Sequence, residues 1–193
     1  YSLWLMTFHN DKNILCISIT QETAKEIVTK VRFANDNLPS WLKVPCVEDN
    51  RLSLRLKNGS QIKAVSSAGT AGRSSALSLL IIDEAAFIDG IEEIWLSSQY
   101  TLSTGGRAII LSTPNGVGNF FHKTWVEAEE GKNNFKTIRL PWHLHPERDQ
   151  FWRDKQTELS GVKGSAQECD CDFSTSGDVC LLYTSDAADD TPC

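Results

Sequence analysis

The sequence has no long hydrophobic segment. Its longest apolar run, residues 77–82, is interrupted by Ser78 and is far shorter than the roughly 20 residues that cross a bilayer. No signal-peptide pattern follows Tyr1. We therefore expect no membrane anchor. Because Tyr1 stands where an initiator methionine would be, we also expect the natural protein to begin further upstream.

Cysteine pairs with metal-site spacing are lacking as well. None of the six cysteines forms a CxxC pair, which argues against a zinc site or a disulfide framework. This usage fits a reducing, intracellular compartment. The formal net charge of −6 argues against a coat of nonspecific nucleic-acid contacts, although a local basic strip remains possible.

The end of the chain differs in composition from the rest. Residues 180–193 read CLLYTSDAADDTPC, which resembles the translation of a transposon-type sequencing adapter. We expect the biological chain to stop near Asp178 and residues 179–193 to have no stable fold. A natural acidic tail is the alternative. Without Asp186, Asp189 and Asp190 the net charge moves from −6 to −3.

Hydrophobic patterning predicts an α/β fold with a mostly parallel sheet flanked by helices. Thr20 is placed to cap a helix after the first strand, and Asn58-Gly59 is typical of a type I′ hairpin turn between alternating segments. From residue 141 onward the pattern is helical. The predicted strands are residues 14–19, 79–82, 107–112 and 135–140, with helices at the start of the chain and over residues 120–130.

Two acidic residues follow the apolar strand LLII. In open α/β sheets ligands bind at the carboxyl edge of the strands, where this pattern puts Asp83 and Glu84. Hydrolysis of a nucleoside triphosphate needs one carboxylate to hold hydrated Mg²⁺ and another to orient or deprotonate the attacking water. Asp83 suits the metal and Glu84 the water. An ordinary strand entering an acidic loop is the alternative.

A second strand end supplies hydroxyl and amide groups. Ser112, Thr113 and Asn115 follow the apolar run of residues 107–111, about thirty residues after the acidic pair. That spacing accommodates the helical crossover of a parallel neighbour, so these side chains are candidates for sensing the terminal phosphate. Arg73, in a glycine-flanked loop, is a candidate arginine finger or a solvated loop residue.

One part of such a site is missing. No GxxxxGK[ST] phosphate loop occurs in the sequence. If the protein hydrolyses a nucleoside triphosphate, we expect that loop upstream of Tyr1, with the strand at residues 14–19 as the second strand of the fold.

These elements, in this order, resemble the ATPase domain of the large terminase subunits of tailed bacteriophages, the phage-T4-like branch in particular. LLIIDEAAFI resembles the family's Walker B strand, LSTPNG its coupling motif, and SSAGTAGRSSALS the segment with its loop arginine. AQECDCDFSTSGD resembles the junction to the family's RNase H-like nuclease domain. The resemblance covers residues 1–178 and implies an ASCE-type P-loop NTPase fold that is incomplete at the N-terminus.

The resemblance also implies a function. The expected organisation is a partial ATPase domain over residues 1–140, a helical linker over 141–178, and an adapter-derived remainder over 179–193. The parent would use ATP and Mg²⁺ to translocate double-stranded DNA into a procapsid and would cut that DNA with its nuclease domain. Its partners would be the portal protein, the procapsid, the small terminase subunit and further copies in a ring. It would work in the host cytoplasm, transiently docked on the procapsid, and this fragment alone should be inactive.

Two other interpretations remain. Asp83-Glu84-Ala85-Ala86 also resembles the DEAx box of superfamily 2 helicases, although no second RecA-like domain follows. The other alternative is a non-catalytic capsid-interacting module that keeps the fold. A phosphate loop in the upstream reading frame would distinguish a motor from such a module.

Overall fold

The computed structural model describes residues 1–66, 76–103 and 105–177. In this part of the chain the main elements are α1 (Ser2–Phe8), β1 (Asn13–Ser18), α2 (Gln21–Asp36), β2 (Cys46–Asn50), β3 (Ser53–Leu56), β4 (Gln61–Ser66), β5 (Leu79–Ile82), α3 (Ile91–Leu102), β6 (Arg107–Ile110), α4 (Phe120–Glu129), α5 (Gln150–Ser165) and α6 (Phe173–Ser176). Two 3-10 turns (Ala85–Phe87 and Trp142–Leu144) and one π-helical turn (Ala166–Asp170) join them. Within these residues no helix is long and apolar enough to cross a membrane.

The strands form one mixed sheet in the order β2-β3-β4-β1-β5-β6. Neighbours from β4 to β6 are parallel, whereas β2 and β3 extend the sheet in antiparallel fashion. The α/β class predicted from the sequence is confirmed, and the parallel part runs from β4 to β6 at one edge of the described sheet. Strand β5, which precedes the acidic pair, lies between β1 and β6.

Side chains alternate between the two faces of the sheet, and each face buries its own core. On β1, Ile14 and Cys16 point toward α1 and α2, whereas Leu15 and Ile17 point toward α3 and α4. Strand β5 is buried along its whole length. This is the burial expected of a strand covered by helices on both sides. The carboxyl edge of β5 is therefore held firmly by the core beneath it.

The helix predicted after β1 begins where its capping residue indicated. The Thr20 hydroxyl accepts a hydrogen bond from the Thr23 amide at 3.2 Å, and the Thr20 amide donates to the Thr23 hydroxyl at 3.3 Å. This reciprocal pair satisfies two backbone amides at a helix end that has no intrahelical partners for them.

The hairpin between β3 and β4 is confirmed, but the predicted type I′ turn is wrong. A type I′ turn requires positive φ at both central residues, and of the two only Gly59, at φ 83°, has it. The Gly59 amide donates to Leu56 O at 3.0 Å, and the Leu56 amide donates to Ser60 O at 2.8 Å. The connection is thus a three-residue loop that ends in a left-handed glycine.

The strand predicted at residues 135–140 is also wrong. The segment joins no strand of the sheet in the described part of the chain. Ile138 and Leu140 are 73% and 71% exposed. Alternating apolar residues indicate a preference for extended backbone, but a strand also needs a partner for its amides and carbonyls.

Candidate functional site

The sheet brings the two predicted strand ends together. Ile82 of β5 lies directly opposite Ile110 of β6 in the parallel register. Beyond that pair, the Leu111 amide donates to Ile82 O at 2.9 Å and the Ala85 amide donates to Leu111 O at 3.1 Å. The loop with the acidic pair and the loop after β6 therefore start side by side at the same edge, as the sequence predicted.

Asp83 is the first residue beyond β5. Its amide donates to Ile17 O at 2.8 Å, which ties it to the neighbouring strand β1. Its Oδ1 accepts a hydrogen bond from the Glu84 amide at 3.2 Å. Asp83 is partly buried, so its backbone is fixed while its carboxylate stays accessible at the edge of the sheet. Such a group suits a hydrated cation.

Glu84 has a strained backbone. Its φ of 56° and ψ of 39° lie in the left-handed region, which disfavours residues other than glycine, asparagine and aspartate. Burial raises the pKa of the Glu84 carboxyl, and the negative charges of Asp83 and Glu168 raise it further. A partly buried carboxylate with a raised pKa is a better proton acceptor than an exposed one. Strain and a shifted pKa on one residue are typical of functional sites.

Ser112 and Asn115 bind the turn that follows Glu84. Ser112 Oγ accepts a hydrogen bond from the Ala86 amide at 3.1 Å, and Asn115 Nδ2 donates to Ala86 O at 3.2 Å. Both polar groups of one residue's backbone are thus held by the loop after β6. These contacts hold the two loops together.

Thr113 contacts a residue far away in the sequence. Its hydroxyl donates to Glu168 Oε1 at 3.4 Å, across 55 positions. Glu168 belongs to the π-helical turn Ala166–Asp170. Sequence reasoning missed Glu168 because nothing in its neighbourhood has the pattern of a catalytic strand end. In the sequence, this stretch resembles only a junction between domains.

Residues 166–177, which we call the docking segment, pack against the loop after β6 at further points. The Gly116 amide donates to Ser176 Oγ at 3.0 Å. The backbones of Gly116 and Gly177 touch, since a Cβ built on Gly116 would lie 2.9 Å from the Gly177 Cα. Phe173 packs on α4, with its ring centroid 5.9 Å from that of Phe121.

The docking segment is itself braced by an ion pair. Arg153 of α5 donates through Nε to Asp170 Oδ1 at 2.8 Å and through a second guanidinium nitrogen to Oδ2. Arg139 donates to the carbonyl of Asp170 at 3.0 Å. The hydrogen bond from Arg153 lowers the pKa of the Asp170 carboxyl. A bidentate pair of this kind fixes orientation as well as distance.

Arg73 lies outside the residues that the structure describes, as do residues 178–193. The interpretations of the loop arginine and of the tail therefore stay predictions. In residues 1–66, 76–103 and 105–177 no three His, Cys, Asp or Glu side chains are grouped so as to hold a metal ion by themselves. Mg²⁺ on phosphates is usually held by one or two carboxylates together with waters and phosphate oxygens.

Solved structures share this fold. The ATPase domain of the large terminase of Thermus phage P74-26 matches with a TM-score of 0.67 and 20% identity, over 89% of this chain and 80% of that one. A large terminase from a thermophilic bacteriophage matches with a TM-score of 0.71 and 13% identity, over 90% of this chain and 44% of that one. The same thermophilic phage protein in complex with ATP-gamma-S matches with a TM-score of 0.69 and 13% identity, over 90% and 43%. The described part of the chain therefore has the fold of these large terminase ATPase domains.

Sequence comparison gives the family. The profile described as "Terminase large subunit, T4likevirus-type, N-terminal" matches residues 2–185. The probable terminase large subunit gp28 of Escherichia phage Mu is 30% identical over 110 residues, which is 46% of this chain and 19% of that protein. The chain thus spans about a fifth of the length of this curated relative. It belongs to the T4likevirus-type family of terminase large subunits, N-terminal part.

Proposed function

We propose that this chain is part of the ATP-hydrolysing domain of a viral DNA-packaging motor, in which ATP turnover drives double-stranded DNA into a procapsid. One observation carries the proposal. The carboxylates Asp83 and Glu84 follow β5 at the sheet edge, and the loop after β6 lies directly beside them. Family membership and the ATP-gamma-S complex of a structural neighbour support ATP as the nucleotide.

The two carboxylates have different roles in this proposal. Asp83 would hold hydrated Mg²⁺, which would supply positive charge next to the phosphates. Glu84 orients the attacking water and takes its proton. Its raised pKa, caused first by burial, supports that role because it makes the carboxylate more basic. Thr113 senses the terminal phosphate, while Ser112 and Asn115 couple its loop to the turn after Glu84.

The phosphate-binding loop comes from a segment upstream of Tyr1. Strand β6 pairs with β5 only, as far as the described residues go, and its other edge faces a cavity of about 1600 Å³. Residues 135–140 also line this groove, and Trp95, Phe121 and Trp125 contribute apolar surface. In this proposal a further parallel strand occupies the groove and pairs with β6 on one side. Its carboxyl end would bring the loop that follows it beside Thr113.

The same groove accounts for the unpaired segment at residues 135–140. With a strand inserted, the amides of this segment would have a partner on the side that faces β6. We also propose a partial ATPase domain over residues 1–140, a helical linker over 141–178 and an adapter-derived remainder over 179–193, although the family match extends to residue 185. The parent protein continues into a nuclease domain.

The assembled motor extends beyond one chain. In this proposal copies form a ring, and Arg73 acts on the nucleotide of a neighbouring subunit. The ring contacts the portal protein of the procapsid, receives DNA with the small terminase subunit, and works in the host cytoplasm. The chain alone, without the phosphate loop, does not turn over ATP at a useful rate, because positioning and charge stabilisation account for most of phosphoryl-transfer catalysis.

The test is steady-state phosphate release from the full-length parent protein. Glu84→Gln should abolish turnover and leave ATP binding largely intact, because an amide cannot take the proton of the water. Glu158→Gln is the matched control, since it makes the same change at an exposed position of α5, and it should leave the rate unchanged. Full activity of the Glu84→Gln protein would refute the assignment. A parent that binds no ATP would support the non-catalytic module instead.

A further inference from the structure

The Thr113 hydroxyl stands between the proposed nucleotide site and the docking segment. It carries one proton and can donate one hydrogen bond at a time. In the structure it donates to Glu168 Oε1 at 3.4 Å. If the same hydroxyl is to donate to a terminal phosphate, it must leave Glu168. A single proton thus has two possible acceptors, one on the protein and one on the nucleotide.

The backbone around Glu168 is held in place by its neighbours in the same turn. Its neighbours Ala166 and Cys169 are buried, and Asp170 is paired with Arg153 of α5. The turn is π-helical, an irregular geometry that is frequent at functional sites. The Glu168 carboxylate is consequently presented to Thr113 by a fixed piece of backbone.

The docking segment further contacts the loop after β6 through Ser176 and Gly116. Release of the contact between Thr113 and Glu168 would therefore loosen one of several attachments between this loop and the helical part of the chain.

We propose that Glu168 is a positioning residue of the proposed ATPase site, competing with the terminal phosphate for the Thr113 hydroxyl. This inference rests on the proposed function. In the nucleotide-free protein, Glu168 accepts the hydroxyl proton and keeps the docking segment attached to the loop. When ATP binds, the hydroxyl donates to the terminal phosphate and the contact with Glu168 breaks. ADP lacks that phosphate and leaves the contact intact.

The experiment measures the affinities of the full-length protein for ADP and for a non-hydrolysable ATP analogue. Glu168→Ala removes the competing acceptor, so it should tighten binding of the ATP analogue by about fivefold, the size of one ordinary hydrogen bond, and leave ADP affinity unchanged. Glu168→Gln keeps an acceptor oxygen and should give a smaller shift, which also covers the case in which the alanine variant folds poorly. Glu158→Ala on the exposed face of α5 is the control.

A double-mutant cycle separates the hydrogen bond from simple charge repulsion. In a Thr113→Val background the Glu168→Ala shift should disappear, and Thr113→Ser, which retains the hydroxyl, should restore it. A shift that persists unchanged in the Thr113→Val protein, or equal shifts for both nucleotides, would overturn the proposal. If the Glu84→Gln protein is inactive as expected and the cycle shows no coupling, the inference fails while the proposed function stands. If the parent binds no ATP, both fail.

Discussion

The close approach of Gly116 and Gly177 allows a sharp test of how the docking segment is attached. Gly116 has φ of 71°, and a Cβ built on it would lie 2.9 Å from the Gly177 Cα. Gly118, in the same loop, has φ of 86°, but a Cβ there would meet nothing within 4 Å. Alanine at either position therefore meets the same left-handed backbone, and only alanine at 116 also meets the docking segment.

The expected losses of stability follow from the left-handed backbone and from the contact with the docking segment. A left-handed alanine costs about 1–2 kcal/mol, partly offset by the lower entropy of the unfolded chain. Gly118→Ala should therefore lower the free energy of unfolding by about 1 kcal/mol. Gly116→Ala adds the cost of overpacking against backbone, about 1–3 kcal/mol. In a domain of this size each kcal/mol lowers the melting temperature by about 2–4 °C.

The assay is thermal unfolding of the two variants beside the parent, with Gly177→Ala as the reciprocal change. Gly177 has φ of −92°, so alanine there pays no backbone penalty, although its Cβ would lie 2.6 Å from the Gly116 Cα. Because both clashes are relieved by the same separation of loop and segment, Gly116→Ala and Gly177→Ala together should cost less than their sum. Equal losses for Gly116→Ala and Gly118→Ala, or full additivity, would show that the two backbones do not touch in solution.

Two further predictions concern titratable groups. Asp170→Asn should destabilise the protein at neutral pH, because the hydrogen bond with Arg153 lowers the pKa of this carboxyl. That contribution is fully present above the unfolded-state pKa near 4 and is lost as the pH falls through the folded value, so the difference between the two melting temperatures should shrink as the pH falls below about 4. Alkylation at pH 8 should modify Cys46 well before Cys16, because Cys46 is exposed, whereas burial raises the pKa of the Cys16 thiol to about 12.

Each of these has a clear contrary result. Equal melting temperatures of Asp170→Asn and the parent at neutral pH, or a difference that does not shrink as the pH falls below about 4, would mean that the ion pair with Arg153 does not form. Rapid labelling of Cys16 in the folded protein, read by mass spectrometry of the peptides, would mean that β1 is not buried between the two helical layers.

Much of the fold could be predicted from local pattern because local pattern and burial agree there. Strand β5 is a continuous apolar run and is buried on both faces, and the Asp83-Glu84 pair follows from where such a strand must end. The polar side chains after β6 could be placed beside this pair because carboxyl ends of parallel strands share one edge. Their hydrogen bonds to Ala86 could not be predicted, since these depend on the conformation of two loops.

The wrong and missed predictions have a common physical origin. Each depends on a contact between two segments, which the sequence of one segment cannot encode. Residues 135–140 alternate as a strand would, yet an extended segment becomes a strand only beside a partner. The Asn58-Gly59 dipeptide is compatible with more than one turn, and the register of β3 and β4 decides between them. Glu168 was missed because its contact with Thr113 spans 55 positions.

The left-handed backbone of Glu84 has a consequence for the stability of the protein. Folding alone would favour glycine or asparagine at this φ and ψ, by about 1–2 kcal/mol relative to a longer side chain. Glycine or asparagine at position 84 should therefore give a more stable protein. The glutamate opposes the preference of its own backbone, and in the proposed function its carboxylate is the reason for that cost.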